Sequence, residues 1–541
     1  MNGNHHTSGA HTIGRTSIGA WLAQTCNTVL GVDPRALAVF RIGVAGILLL
    51  DLWYRSREIG AFFTDEGILP RHVLISLNEF YSQFGYQYAW SLHMFSGQYW
   101  AQLLLILVAA FFCVWLLLGY RTRLSAVVSW VLLLSLDSRN PDILNSGDVL
   151  LRCMLLWSLF LPLGGVWSID RLINRPRSEL PRRFTSVASA ALLLQLAMMY
   201  FFSAIGKMNA VWHTEFSGVY YVLHCDAYVK PLGVALREYS GLMKLLTAST
   251  FGLELIGSIL VFLPFWTSRV RLVLVAAFWL FHVGLGATLT IGLFPIICIV
   301  AWTVFLPSEF WDWLMPPLHR FRRGVVVRWL VRWAVSIRRQ ARGRLSFFLA
   351  RAETIRWQNH GVRSWLINGT LATLLVYVLL WNVREMDVHF WGQRIPPVET
   401  NGVAKVLGLD QNWGMFSPIP RTEDGWLVMK GTLRDGTVVN LWQDDRELPW
   451  DKPQRVSDTY ISQRWRKYLD NLTTDQYALR RLNFCEWLGH RWNSRLANDE
   501  TVRQVVLIEL IHRIEATPPP GEPFPELENR SLYEYRPLYY D

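Results

Sequence analysis

The residues best suited to chemistry in this chain are ionisable side chains inside segments that are otherwise apolar. Lys207 follows the apolar run 195–206, and Glu254 and His282 interrupt two later apolar runs. Ionisable groups within a bilayer are costly and usually face a bundle interior, where they pair or serve a pathway. A lysine kept neutral in a dry pocket is a usable base, whereas a lysine at a helix end also serves as a headgroup anchor. Both interpretations of Lys207 remain open from its position.

Other polar residues fall near the same depth when residues are counted at about 1.5 Å each from the predicted helix ends. Singly, each has a simple explanation: Arg152 pairs with Asp148 or Glu254, and His282 donates to a carbonyl. Together they predict a polar pocket with apolar walls, open to the outside or sideways to the bilayer. The converging residues are Asn145, Asp148, Arg152, Lys207, Glu254 and His282.

The composition places these residues in a membrane protein. Of 541 residues, 52% are hydrophobic and 27 are tryptophan, and several apolar runs are long enough to cross a bilayer. The net charge is +11, but the surplus arginines flank the apolar runs, so nucleic acid is not expected as a partner. We expect an all-α polytopic membrane protein in contact with membrane lipid.

The apolar runs predict about nine membrane-spanning helices. The first begins where Asp33 supplies an N-cap and Pro34 takes the first helical position. The predicted spans are residues 34–54, 98–120, 123–137, 148–166, 185–206, 242–265, 269–287, 289–306 and 364–383.

Arginine placement predicts the orientation. Most arginines fall in loops on the side of the N-terminus, which is therefore expected to be cytoplasmic in a cell (plasma or inner) membrane. In the segment 316–363, Trp329 and Trp333 favour a helix in the inner headgroup layer over a nucleic-acid-binding arm. The predicted organisation is a cytoplasmic tail (1–32), a transmembrane bundle (33–315), the arginine-rich interfacial helix (316–363), a last span (364–384) and an extracytoplasmic domain (385–541).

The small extracytoplasmic domain is predicted to contain β-strands and helices. Residues 426–433 and 437–442 flank an Asp-Gly turn and predict a β-hairpin. Residues 457–482 and 499–516 are predicted to be helical, and the chain from Pro518 to be irregular. No catalytic motif is visible in this part of the sequence.

The six cysteines are scattered and lack the spacing of a metal site, so no metal is expected. Cys113, Cys153 and Cys298 lie in apolar segments and are interpreted as packing residues. Cys225 and Cys485 share the outer side in this topology, where a disulfide is possible.

The segment YFFSAIGKMNAVW, Tyr200 to Trp212, resembles the part of the vitamin K-dependent γ-carboxylase family that carries its catalytic lysine, with Lys207 at the lysine position. The resemblance extends over about residues 33–442. Counterparts in order include FRIGVAGILLLD in the first span, WSID at 167–170, Glu254, the Phe281–His282 pair and LRDG at 433–436. FFTDEGILPR and QNWGMFSPIP, at 62–71 and 411–420, are typical of the bacterial HTTM (horizontally transferred transmembrane domain) branch.

The resemblance implies a reduced quinone of the vitamin K or menaquinone type as cofactor and Lys207 as a base that acts on it. The quinone's oxidation would yield a stronger base that takes a γ-proton from a peptide glutamate, and carbon dioxide would then add. His282 would orient or hydrogen-bond the reactants. Asn145, Asp148, Arg152, Glu254 and Trp212 would complete a substrate and quinone pocket.

The sequence departs from the carboxylases before the fourth span. Where they have Asn-Asn-His, this chain has Asn145, Ser146 and Gly147, and Asp148 is new. The outer domain is also shorter than in the animal enzymes. A non-enzymatic membrane protein that assists maturation, export or immunity of a secreted peptide is therefore the alternative to an enzyme. A transporter is the third reading, but no internal repeat supports it.

Overall fold

The fold was examined in a computed structural model that describes residues 18–174, 181–321, 362–386, 396–443, 447–496 and 501–537. Most of the arginine-rich segment, and the first 17 residues of the tail, lie outside these ranges. The described chain is mostly helical and ends in a small domain that contains a β-sheet.

The N-terminal half consists of membrane-length helices joined by shorter ones. The first span begins as predicted, since the Asp33 carboxylate accepts from the Arg35 amide and Pro34 opens the helix. The helices up to the end of the fifth predicted span are α1 (Ile18–Leu30), α2 (Pro34–Ser56), α3 (Ile59–Phe62), α4 (Arg71–Phe80), α5 (Tyr99–Leu118), α6 (Thr122–Arg139), α7 (Ser146–Ser158), α8 (Ile169–Asn174) and α9 (Val187–Gly206).

Short helices then lead into the second half of the bundle. A π-helical segment, Leu253–Gly257, interrupts the sixth predicted span. The remaining bundle helices are α10 (Ala210–His213), α11 (Gly218–His224), α12 (Pro231–Leu236), α13 (Ser240–Gly252), α14 (Ser258–Leu260), α15 (Thr267–Thr288), α16 (Phe294–Trp302), α17 (Ser308–Phe321) and α18 (Val362–Met386).

Six helical segments among the described residues are long and apolar enough to cross a bilayer. A seventh candidate is the bent pair Phe294–Phe305 and Ser308–Pro316, whose axes differ by 97°. Each of the nine predicted spans contains a helix, but α6, α7 and α16 do not meet this criterion singly, so the number nine is not confirmed. The fourth predicted span was too long: α7 ends at Ser158, before Pro162, and at 13 residues is only about 20 Å long.

Helix α9 lies at the centre of the bundle. Of its apolar window 78% is buried, compared with 28% for α5 and 22% for α18, which are peripheral. It packs against α7, the π-helical segment and α18. Most side chains on α9 are therefore shielded from both water and lipid.

The C-terminal domain is built on an antiparallel sheet with strand order β2-β1-β3-β4. The Asp-Gly hairpin is confirmed: Gly436 has φ +86°, and the Leu433 amide donates to the Thr437 carbonyl. The elements are α19 (Asn401–Leu407), β1 (Glu423–Leu433), β2 (Val438–Asn440), α20 (Gln463–Leu472), α21 (Ala478–Asn493), β3 (Val505–Ala516) and β4 (Glu528–Tyr535).

Two predictions for this domain were wrong. The segment 499–516 is mainly strand β3, in which Ile508, Leu510, His512 and Ile514 are buried while the residues between them are more exposed. This is the period of two of a strand. The chain after Pro518 also forms a strand, β4, paired with β3.

Candidate functional site

The Lys207 side chain lies at the C-terminal end of α9 and is 1% exposed. Its Nζ is 2.5 Å from Oε2 of Glu254 and donates to Oγ of Ser203 at 2.8 Å. The Trp212 ring centroid is 5.2 Å from Nζ. Lys207 therefore belongs to a buried ion pair and is not an anchor exposed to headgroups.

Local helix geometry brings these groups together. Ser203 precedes Lys207 by four residues, so the two side chains lie on the same face of α9. Glu254 lies in the π-helical segment 253–257, where the wider turn changes the direction of a side chain relative to a regular helix. Such segments frequently occur at functional sites. Ser203 was missed by sequence reasoning, although its spacing from Lys207 is a readable signal.

Trp212 lies between the ion pair and the segment 411–420. Its indole N–H donates to the Phe416 carbonyl at 3.2 Å, and the ring is 1% exposed. A Cβ on Gly206, at the end of α9, would come within 2.9 Å of Ser417 Oγ. The 411–420 segment, which the resemblance singled out, therefore covers the end of α9 beside Lys207.

His282 is fully buried and bonds to a side chain, which corrects the expected bond to a carbonyl. Its Nε2 is 2.5 Å from the Tyr200 hydroxyl, which also accepts from Trp302 Nε1 at 3.1 Å. Both contacts form when the Tyr200 hydroxyl donates to His282 Nε2 and accepts from Trp302 Nε1. The hydrogen of the neutral His282 ring then lies on Nδ1. Within the described residues, Nδ1 has no hydrogen-bond partner.

His282 and Lys207 are linked only through α9, on which Tyr200, the partner of His282, lies on the same face as Lys207. Tyr200 precedes Lys207 by seven residues, so its position is about 10 Å below that of Lys207 along the same side of α9. In the described part of the chain no hydrogen bond joins His282 to Lys207 or Glu254. The two predicted residues therefore belong to separate groups that contact one face of α9 at different heights.

A cavity of about 780 Å³, called the outer cavity below, lies between the C-terminal domain and the ends of the bundle helices nearest to it. Of the predicted site residues, Asn145 and Arg152 line this outer cavity, whereas Lys207, Glu254 and His282 do not. Phe416 is part of its wall, and the Phe416 carbonyl holds Trp212. Trp212 and Phe416 therefore lie between the outer cavity and Lys207.

Arg152 pairs with Asp410, so the predicted partners Asp148 and Glu254 were wrong. Its guanidinium donates to the Asp410 carboxylate at 2.8 Å and to the Gly408 carbonyl at 3.0 Å. Burial alone would raise the pKa of Asp410, but Arg152 and Lys405 hold it at about 2. The segment after the last span passes α7 at Arg152. No spacing in the sequence predicts this contact.

Asp148 belongs to a buried ion network that joins the bundle to the C-terminal domain. Arg464 of α20 donates to Asp51 at 2.5 Å and to Asp148 at 2.9 Å. Arg55 of α2 contacts the same two carboxylates and also Asp137 of α6. This arrangement gives Asp148 a structural role in docking α20 onto the bundle.

Gly147, which aligns with a histidine of the carboxylases that this sequence resembles, has little room for a side chain. A Cβ there would lie 3.0 Å from Ile297 Cδ1 and 3.2 Å from Phe294 Cα. The Gly147 amide donates to the side chain of Asn145, the N-cap of α7. The close packing of α7 against α16 therefore leaves little space for the histidine that the carboxylases have at this position.

The cysteines give no disulfide in the described chain. Cys225 and Cys485 are both free and buried, so the pairing considered from sequence is absent. Cys113, Cys153 and Cys298 are buried, in agreement with packing roles.

The fold and site together define a membrane protein whose central helix carries a buried lysine–glutamate pair close to one end of the bundle. Residues 31–313, more than half of the chain, match the family model described as the HTTM domain. The chain belongs to the HTTM family. Searches of curated proteins and of solved structures gave no significant match.

Proposed function

We propose that this HTTM protein crosses the membrane nine times with a cytoplasmic N-terminus, and that the C-terminal domain is extracytoplasmic. Arginine placement supports this orientation. A short helix such as α7 can complete a span when neighbouring helices and the loops around it cover its ends. Lys207 and the outer cavity then lie toward the extracytoplasmic side.

We propose that Lys207 acts as a base in a quinone-dependent reaction on glutamate in extracytoplasmic peptides. The observation that carries this proposal is the buried contact of 2.5 Å between Lys207 Nζ and Glu254 Oε2. A buried ion pair in this position adds little to the stability of the fold, because the cost of desolvating both charges offsets most of their attraction. Retaining both charges beside a π-helical segment favours a chemical use.

Glu254 would receive the lysine proton. In dry surroundings a neutral amine and a neutral carboxylic acid compete with the charged pair, since neither charge is then desolvated. The proton has only a short distance to move between Nζ and Oε2. Ser203 would hold the amine on the α9 face, and Trp212 would exclude water from it.

The chain offers a surface that suits a quinone's hydrocarbon tail. A groove of about 580 Å³ runs between α1, α9 and α14 and is lined almost entirely by apolar side chains. Phe202 and Ser258 both line this groove. Phe202 is next to Ser203 in the chain, and Ser258 follows Glu254 by one turn. The groove therefore ends about one helical turn from the ion pair. When bound, a reduced quinone would supply, through its oxidation by dioxygen, the strong base that removes a glutamate γ-proton so that carbon dioxide can add.

The tight packing around Gly147 favours a second candidate. If the family's histidine is indispensable for carboxylation, this protein would assist maturation, export or immunity of a secreted peptide without catalysis. The outer cavity would then serve as the contact site for the peptide.

Mass spectrometry of secreted peptides from cells with and without the protein separates the two functions. The enzyme predicts peptides that carry an extra carboxyl group on glutamate in cells with the wild-type protein. The assisting role predicts peptides of unchanged mass whose secretion or toxicity changes on deletion.

A further inference from the structure

We propose that the outer cavity binds the phosphate of an anionic phospholipid through Arg466 and Lys467 of α20. This site is separate from Lys207 and does not depend on the proposed reaction. The evidence is two neighbouring cations that, among the described residues, make no hydrogen bond to a carboxylate, in a cavity with an apolar floor at the end of the membrane-spanning helices.

Positive charge exceeds negative charge in this cavity, because six cations and four carboxylates line it. Three of these cations are paired with two of the carboxylates: Arg152 and Lys405 with Asp410, and Arg480 with Asp142. Asp470 contacts Arg421, and Glu385 accepts from Asn412 at 3.1 Å. The cavity therefore keeps a net positive charge, and within the described residues neither Arg466 nor Lys467 hydrogen-bonds to a carboxylate.

Arg466 is the clearest case. The residue is 8% exposed, and its Nε has no hydrogen-bond partner within the described residues. Its nearest recorded carboxylate, that of Asp470, is 4.0 Å away, beyond hydrogen-bonding distance. The guanidinium lies 5.4 Å from the Tyr228 ring centroid. A buried guanidinium with free donors suits a phosphate, which can accept two parallel N–H bonds.

Lys467 adds a second cation next to it. In the part of the chain that the structure describes, its ammonium has neither a hydrogen bond nor an ion pair, and burial lowers its pKa. An unpaired, partly buried ammonium reduces the stability of the folded protein unless a ligand neutralises it. An anion bound in the cavity would neutralise this charge.

The N-terminus of α20 strengthens the positive potential. Gln463, the first residue of α20, meets the N-cap Asn145 of α7 across the cavity at 3.4 Å. The first turn of α7 already carries the Asp148 carboxylate, whereas the ten-residue α20 has no acidic residue in its first turn, so its positive end favours an anion here. Arg466 and Lys467 lie within the next turn of α20.

The apolar floor favours a lipid over a peptide. Val149, Leu285, Ile291 and Phe294 line the cavity at the outer ends of the bundle helices. Trp381 of α18 completes the wall, and α18 is the least buried of the six candidate spans. A lipid can therefore reach the cavity along α18, with its headgroup at the cations and its chains beside the floor.

The test is thermal unfolding of the full-length protein in neutral detergent with added short-chain lipid. Phosphatidylglycerol should raise Tm at concentrations where phosphatidylcholine of the same chain length, inorganic phosphate and a polyglutamate peptide do not. Lys467→Gln should require about tenfold more phosphatidylglycerol for the same shift, since one charge-assisted bond is lost. Without lipid, Lys467→Gln should be at least as stable as wild type. Arg455→Gln, at an exposed position of the same domain, is the matched control and should behave as wild type.

Four outcomes overturn the assignment. Equal stabilisation by phosphatidylcholine removes the anionic requirement, and equal stabilisation by inorganic phosphate removes the lipid. Stabilisation by polyglutamate alone makes the cavity a peptide site. An unchanged lipid response in Lys467→Gln excludes this side chain from the site, and Arg466→Gln gives a second variant for the same comparison.

Discussion

Lys207 at the end of α9 and Glu254 in the π-helical segment form an ion pair of 2.5 Å that is buried from both water and lipid. A lone lysine at this position would be interpreted as a membrane anchor, and a lone glutamate as a misplaced charge. The contact between them explains why both charges are present. Variants of the two residues can therefore separate the effect of charge on stability from its effect on activity.

Removing one partner of this pair should destabilise the protein more than removing both. Lys207→Met leaves Glu254 without a cation and Glu254→Leu leaves Lys207 without an anion, so each should cost about 3–5 kcal/mol. The double variant carries neither charge and should recover most of the loss while remaining inactive. Thermal unfolding in detergent measures the effect. A double variant that is less stable than either single variant would contradict the pairing.

Tyr200→Phe should destabilise the bundle by about 1–3 kcal/mol, because Trp302 Nε1 and His282 Nε2 both lose their buried partner. Comparison of unfolding midpoints tests this. Tyr239→Phe is a suitable control, since Tyr239 is 60% exposed and should tolerate the change. Equal midpoints for the two variants would show that the Tyr200 hydroxyl contributes nothing to the packing of α9 against α15 and α16.

Gly147→Ala should lower stability by about 1–3 kcal/mol, since its Cβ presses on Asn145, Ile297 and the Phe294 backbone. Gly284→Ala in α15 has open space around its Cβ and should be neutral or gain about 0.5–1 kcal/mol. Histidine at position 147, as in the carboxylases, should be more damaging than alanine. If Gly147→His is as stable as wild type, the structural reason given for this departure is wrong.

The folded protein should lose stability as pH rises from about 4 to 6, because the Asp424 carboxyl of β1 is buried beside the amides of Asp226 and Ala227. Burial raises the pKa of Asp424 to about 6 from an ordinary value of 3.8, so the folded state binds this proton more tightly than the unfolded state. Its contribution is therefore complete below the unfolded pKa and is lost as pH rises through about 6, at most about 3 kcal/mol.

Unfolding midpoints measured across this pH range test the prediction. Asp424→Asn should flatten the decline, whereas Asp458→Asn, at an exposed position, should leave it unchanged. The same slope in Asp424→Asn and wild type would assign the decline to other groups.

Sequence reasoning recovered what depends on apolar periodicity and local turns. The helices of the bundle, the start of α2 at Asp33 and the hairpin at Gly436 follow from rules that act over a few residues. The position of Lys207 alone left a headgroup anchor and a buried amine both open, and the contact with Glu254 decides for burial.

The pairings could not be predicted, because they depend on packing between distant segments. Arg152 pairs with Asp410, which lies more than 250 residues later in the chain, and Asp148 pairs with Arg464. The bond between Tyr200 and His282 depends on how α15 approaches α9. Strand β3 was misread because a short apolar run fits either a helix or a strand, and its pairing with β1 decided the outcome.

The central claim, that Lys207 is a working base, is tested most directly in proteoliposomes that contain the purified full-length protein. A reduced menaquinone-type quinone, dioxygen, isotope-labelled carbon dioxide and a glutamate-containing peptide are supplied, and label in the peptide is measured. Lys207→Arg keeps the charge but cannot become a neutral amine. Lys244→Arg changes an exposed lysine on neighbouring α13 and is the control. The account predicts label with wild type and Lys244→Arg and none with Lys207→Arg. Label that persists in folded Lys207→Arg, or is absent from wild type, would contradict it.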